Sequence, residues 1–266
     1  MVIYTVNSKM RLDKKGISHF LELLWAFTAK EIKVRYKSAV LGFLWMFLNP
    51  ILQMFVIGFV FSLIFRFGIK DYSLFLFTGL LPWNFFSLSL STTSTSIVTN
   101  REIITKSKFP YLVIPLSQIL ASFFHFLISI FILIALLIFL GKGSIAFLFL
   151  PLLFSWQIIL VVGIALWASS LYVFFRDVAF LVQSGLMVLF YALPIIYPLS
   201  MIPDKWLFIF YLNPLVGVIS TYHSILANYP LLPLPILGFQ ILASLVIFLS
   251  GYLFFRKKCV SFADWL

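Results

Sequence analysis

The sequence predicts an all-α integral membrane protein. It has six transmembrane helices, an N-terminal amphipathic interface helix, external re-entrant helices between spans five and six, and both termini cytoplasmic. Three observations lead there. The 266 residues are 63% hydrophobic and only 10% charged, against about 25% charged in a soluble domain. Six apolar segments each reach the roughly 20 residues that cross a hydrocarbon core as a helix. Fifteen of the 19 lysines and arginines fall on connectors of one side. Lys/Arg-rich flanks stay inside, so that side is the cytoplasm.

The elements follow in order. Residues 1–19 form a polar, basic N-terminal tail, without the short apolar core and small-residue site of a cleavable signal peptide. Residues 20–38 form the amphipathic helix. At 100° per residue, Lys30, Lys33 and Lys37 share one face, while Leu21, Trp25, Thr28, Ala29, Ile32 and Tyr36 share the other. Glu31 and Arg35 are spaced for an i,i+4 pair at the boundary. Such a helix lies in the headgroup plane with its lysines toward anionic membrane lipid. Physics alone reads it as an anchor, or as a platform for a soluble partner.

The transmembrane domain covers 39–258, with spans at about 39–65, 72–98, 111–140, 145–175, 178–200 and 232–255. The connector Asn100–Pro110 between spans two and three has mixed charge and a short apolar pair, which suits a short helix on the cytoplasmic face. Pro110 fits the start of the next span. Residues 201–231 are too long for a tight turn and too apolar for a solvated loop, and Pro203, Pro214 and Pro230 interrupt them. Two short helices that dip into the outer leaflet and return satisfy their own backbone groups. The alternative is a flat external loop on lipid. Residues 259–266 end the chain as a cytoplasmic tail.

Several classes are excluded. The net charge of +11 is segregated on connectors, so it is not a nucleic-acid patch. There is no G-x-x-x-x-G-K-[ST] phosphate loop; Gly141-Lys142-Gly143-Ser144 lacks the spacing. The carboxylates Asp13, Glu22, Glu31, Asp71, Glu102, Asp177, Asp204 and Asp264 are scattered, not paired for acid–base work. Three histidines and one cysteine, Cys259, make neither a metal cluster nor a disulfide. No catalytic residue is assigned, and no cofactor or metal is expected on this chain. Within the spans, His125, Gln157 and Gln183 are the isolated polar groups. Ser87 to Ser96 form a hydroxyl-rich half of span two, of the kind that lets helices pack closely. Without an intramembrane carboxylate, His125 reads as packing or hydrogen bonding rather than a proton relay.

Several pieces in order resemble one family. They are Glu31-Ile32-Lys33-Val34-Arg35-Tyr36-Lys37, Leu41-Gly42-Phe43-Leu44-Trp45 with Asn49-Pro50, Gly79-Leu80-Leu81-Pro82-Trp83, Lys106 to Pro110, Asn213-Pro214-Leu215 and Phe262-Ala263-Asp264. Together, over about residues 20–266, they resemble the ABC-2 type permeases that export polysaccharides such as O-antigen, capsule and teichoic acid. The resemblance implies a homodimer in the cytoplasmic (inner) membrane, served by two copies of a separate ATP-binding subunit that carries the ATP and Mg. It implies a lipid-linked glycan as cargo. It implies a coupling segment of Arg101, Glu102, Lys106, Lys108 and Pro110, and an interface helix of Lys30, Glu31, Lys33, Arg35 and Lys37. Tyr36, Trp45, Trp83, Phe85 and Phe86 are the aromatic candidates for the glycan path. The rival readings are an ABC-2 exporter of drugs or lipids, a membrane-embedded glycolipid transferase, and an ion-coupled carrier.

Overall fold

The computed structural model describes residues 14–37, 44–65, 71–106 and 110–266. Among these, all regular structure is helical. In order, the helices are α1 (Lys14–Tyr36), α2 (Trp45–Phe65), α3 (Tyr72–Thr99), α4 (Arg101–Lys106), α5 (Val113–Phe139), α6 (Leu150–Phe174), α7 (Val178–Ala192), α8 (Asp204–Leu212), α9 (Pro214–Ala227), α10 (Leu234–Lys258) and α11 (Phe262–Trp265). Four are long and apolar enough to cross a membrane: α3, α5, α6 with the 3₁₀ turn before it, and α10. The bent pair α8–α9 raises the number to five if it is one broken span.

Helix α3 is the hub, packed against α2, α5, α6, α7 and α9. Several of its hydroxyls are tied to its own backbone, while those of Ser89 and Thr93 are buried without a partner among the described residues. Thr78 donates to the Phe75 carbonyl, Ser94 to Ser91 and Ser96 to Thr93, each within 2.9 Å. The bonded side chains therefore stay short and self-satisfied, so neighbouring helices can approach. The closest approach is between α6 and α10. A Cβ on Gly163 would sit 2.7 Å from the Phe248 Cα, and one on Gly251 would overlap the Gly163 carbonyl oxygen. Flanking this glycine seam, the indole N–H groups of Trp156 and Trp167 donate to Ser244 (2.8 Å) and Ser250 (3.1 Å).

The structure differs from the sequence expectation at four places. Helix α1 begins at Lys14, so the interface helix reaches into the stretch expected as a tail. The segment expected as a fifth span over 178–200 is helical for 15 residues only. At about 1.5 Å per residue it is about 22 Å long, short of a 30 Å hydrocarbon core. Pro194 ends it by forcing Leu193 into extended backbone (φ −92°, ψ 153°). The non-helical stretch that follows is enclosed by protein, with Ile195 and Ile196 buried. The Tyr72 hydroxyl donates to the Ile196 carbonyl at 3.0 Å, which meets the rule that irregular backbone at depth must find partners. Third, residues 259–266, expected as a cytoplasmic tail, pack back on the bundle. Phe262 is fully buried against Tyr111, Phe174 and Phe255. Fourth, α5 begins at Val113 rather than at Pro110.

The expected interruption at Asn213-Pro214 is sharp. Helices α8 and α9 meet at 102°. Asn213 caps α9 by accepting from the Leu215 N–H at 3.0 Å, and Pro214 takes the first helical position. The Gln240 carboxamide of α10 donates to the Tyr211 and Asn213 carbonyls at 3.0 and 3.3 Å. The bend is therefore fastened to α10.

Candidate functional site

Two surfaces assemble the sequence-predicted residues. The first joins α1 to the α3–α4 corner. Asn100 ends α3 by folding its carboxamide back on the Ser96 carbonyl (2.9 Å), and α4 leaves from its own carbonyl. Helix α4 buries Ile104 and exposes Arg101, Glu102 and Thr105. Across the gap, Lys30 of α1 donates to the Asn100 side-chain oxygen at 3.4 Å. Lys30 also pairs with Glu31 at 3.2 Å and lies over the Phe27 ring. The two segments predicted separately thus meet at one corner.

Helix α1 runs along α5. Its buried edge is Thr28, whose hydroxyl bonds the Leu24 carbonyl at 2.7 Å. Lys33, Val34 and Lys37 face outward. Arg35 does not. Its guanidinium reaches the buried Ser122 hydroxyl of α5 at 3.5 Å. Leu21 and Trp25, placed on the apolar face by the sequence, are 55% and 72% exposed. The covered part of that face is therefore the Thr28–Arg35 half. Lys106 and Pro110 close the coupling segment, while Lys108 lies outside the described residues.

The aromatic candidates separate. Trp45 is exposed at the start of α2. Tyr36 ends α1. Phe85 and Phe86 are 2% exposed, and Phe85 stacks on Phe126 and meets Phe123 at a tilt, both of α5. These two build the core. Trp83 packs on Phe86 and on Phe190 of α7. It also floors a 220 Å³ hollow with Ser87, Leu186, Met187, Phe190 and Tyr191. A hydroxyl, a phenol and an indole around one hollow suit a sugar ring, which presents apolar faces and polar edges.

Sequence reasoning singled out Gln157 as an isolated polar group but not the partners through which it locks these parts together. Gln157 is fully buried, donates to the Pro82 carbonyl and accepts from the Tyr222 hydroxyl, both at 2.8 Å. It therefore joins α3, α6 and α9. Ser122 belongs to a stripe on α5, Gln118, Ser122, His125 and Ser129, at spacings of four, three and four. That periodicity is a legible sign of a polar helix face, and Arg35 docks on it.

The arrangement is that of a multi-pass α-helical membrane protein whose connectors carry basic helices and whose sequence holds no phosphate-binding loop. This chain belongs to the ABC-2 type transporter family, which its residues 22–227 match. It is similar to an O-antigen export system permease protein RfbA of Klebsiella pneumoniae, 36% identical over 255 residues, 95% of this chain and 98% of that protein. A second Klebsiella pneumoniae protein of that name is 37% identical over 81% of this chain and 84% of its own length. One from Myxococcus xanthus is 32% identical over 79% and 82%. The chain is thus a permease subunit, a transport component, and its family implies an ATP-binding partner chain.

Proposed function

We propose that this chain forms the membrane path of an ATP-driven exporter that moves a lipid-linked polysaccharide, of O-antigen, capsule or teichoic acid type, across the cytoplasmic membrane. The observation that carries this is the similarity, at 36% identity over 95% of the chain, to a permease named for O-antigen export. Two copies of the chain pair, and two ATP-binding subunits sit beneath Arg101, Glu102, Lys106, Lys108 and Pro110. Those subunits hold ATP and Mg; this chain binds neither. Six spans with both termini cytoplasmic fit the one-sided lysines and arginines. In that arrangement α2, and α7 continued by the protein-enclosed stretch Leu193–Ile196, complete the set, and the 102° pair α8–α9 re-enters from the outer side.

Closure of the ATP-binding subunits displaces α4. Two contacts relay that displacement: Lys30 on Asn100, and Arg35 on Ser122. They bind α1 to both neighbours, so α1, α4 and α5 shift as a unit. Coupling requires an element with two positions that the partner biases, and this unit supplies it. Trp45 and Trp83 then meet the glycan, with Tyr36 at the entry.

The test is ATP-driven export into vesicles that hold this permease and its ATP-binding partner. Protected long-chain glycan is the expected product. Movement of a drug-like amphiphile without glycan would assign the chain to another branch of the family. The double reversal Arg101→Glu with Lys106→Glu should abolish export and ATPase docking while leaving the permease folded. Unchanged docking would remove α4 from the coupling role.

A further inference from the structure

Beyond α10, a 3₁₀ turn over Cys259–Ser261 leads into α11, a single turn over Phe262–Trp265. The Leu266 N–H closes that turn on the Phe262 carbonyl at 3.1 Å. So short a segment has no helical stability of its own; isolated helices below about 12–15 residues are marginal in water. Its order comes from docking. Phe262 is fully buried. Its ring meets Phe255 of α10 edge-on at 5.5 Å, Phe174 of α6 at 6.2 Å and Tyr111 at 6.4 Å. Trp265 adds an edge-on contact with Phe174 at 5.3 Å. The Lys258 ammonium lies over Phe174 and Phe254, at 5.4 and 6.0 Å. Ring pairs at these separations attract beyond their buried area, and a cation over a ring adds to them. Residues 259–266 thus form a hook held on both α6 and α10.

Tyr111 belongs to neither of those helices. It follows Pro110, the last residue of the coupling segment, and its carbonyl accepts from the Ile114 N–H (3.2 Å) in the first turn of α5. The hook therefore joins the foot of α5 to the α6–α10 pair. Further along α5 lies a second aromatic bridge. Phe126 meets Phe154 of α6 edge-on at 5.5 Å, and Phe123 meets the same ring at 6.1 Å. Tyr111 and Phe126 are about 22 Å apart along the helix. One bridge is a pivot, about which α5 can swing against α6. Two bridges that far apart fix the angle between the helices. Helix α10 turns with α6, because their backbones touch at Gly163 and Gly251. Through Gln240, α10 also holds the α8–α9 bend.

We propose that Phe262 is a positioning residue for export. Through Tyr111 it locks the foot of α5, where the coupling segment ends, to the α6–α10 pair. The pair then follows the coupling segment and carries its displacement to the α8–α9 bend. This rests on the reading that the ATP-binding subunit pushes on Arg101–Pro110. Stiffness at the joint is what coupling needs there, since a displacement absorbed by swinging about Phe126 never reaches α10.

The test places spin labels by Phe124→Cys on α5 and Leu253→Cys on α10, positions that are 41% and 59% exposed. The full-length permease, in a Cys259→Ser background, sits in bilayer discs with unlabelled chain in excess, so that pairs within one chain are read. The parent should give one narrow distribution of distances, unchanged by the ATP-binding partner and ATP. Tyr111→Ala cuts the link but leaves Phe262 on Phe174 and Phe255, so the hook stays docked while the distribution broadens by several ångströms. Phe262→Ala should broaden it too, and Tyr111→Phe should keep it narrow. In export vesicles, glycan delivered per ATP hydrolysed should fall several-fold in Tyr111→Ala and stay parental in Tyr111→Phe. A narrow distribution in both alanine variants, or a parental separation that shifts with ATP, overturns the joint. A parental export ratio in Tyr111→Ala, with only the melting temperature lowered, makes the hook a staple for α10 and overturns its part in export. Partner docking and export by the parent report on the underlying reading, whereas the distances without ATP report on the hook alone.

Discussion

Helices α3 and α7 meet the same solvent and face each other across Trp83 and Phe190, yet one is enclosed and the other bare. Two thirds of the span window of α3 is buried, 67%, against 33% in α5 and 22% in α10. Helix α7 buries Leu186 alone. The enclosed helix is the less apolar of the spans; it carries the hydroxyls from Ser87 to Ser96. This inverts the rule for soluble cores. In lipid, apolar surface has nothing to gain by hiding, because tails are as apolar as leucine. Small and hydroxylic residues are drawn together instead, since they permit close backbones and shared hydrogen bonds. The enclosed helix accordingly combines buried small and hydroxyl residues with the large aromatics that fill the space between its neighbours.

The largest effect should come from thickening the seam where α10 meets the backbone of α6. Gly251→Val places atoms on the Gly163 carbonyl and within 3.0 Å of Trp167. The obstruction is backbone, which cannot rotate away, so the cost should reach or pass about 3 kcal/mol. Thermal unfolding in detergent should show a loss of monodisperse protein. Gly185→Val, at a glycine of α7 with open space around it, should leave the melting temperature nearly unchanged. Equal losses at both positions would erase the distinction between the two regions.

A middle-sized effect should follow from Gln157→Leu. The substitution keeps volume but strands the buried Tyr222 hydroxyl and removes the second hydrogen bond, beside the helix's own, from the Pro82 carbonyl. A buried polar group left without its partner costs about 1–3 kcal/mol. Adding Tyr222→Phe removes the stranded group, so the double variant should recover part of the loss. Lack of recovery in that cycle would mean that α3, α6 and α9 are held by packing alone.

How much of this was legible follows from the same physics. Hydropathy marks insertion, so the positions of α3, α5, α6 and α10 fall within a few residues of the segments read from sequence. Proline and asparagine act locally, so the Asn213-Pro214 break was legible too. The short reach of α7 was the exception, because apolar composition continues past Pro194 while the helix does not. At the site, basic periodicity located Lys30 and Arg101 but not their shared contact through Asn100. Phe85 and Trp83 lie two residues apart and both are buried, yet only Trp83 also lines a hollow. Helix rotation decides that, and a uniformly aromatic stretch carries no rotational signal.

The smallest effect on stability should appear on α7, where it discriminates best. Phe180, Leu181, Met187 and Val188 are each about two thirds exposed. The same helix exposes Gln183 and Ser184. Lipid tails offer a carboxamide no hydrogen bond, so a second copy or the glycan path is the better neighbour. Phe180→Ala with Val188→Ala should therefore change protomer stability by no more than about 0.5 kcal/mol each. A cysteine at Val188, in a Cys259→Ser background, should cross-link two permease chains on oxidation if α7 lies at the dimer seam. Disulfides need Cα atoms about 4.4–6.8 Å apart, so the reaction reports direct apposition. A cysteine at Leu242, exposed on α10 to 60%, is the comparison. Dimer formation at Leu242 but not at Val188 would move the seam to α10 and leave α7 facing lipid.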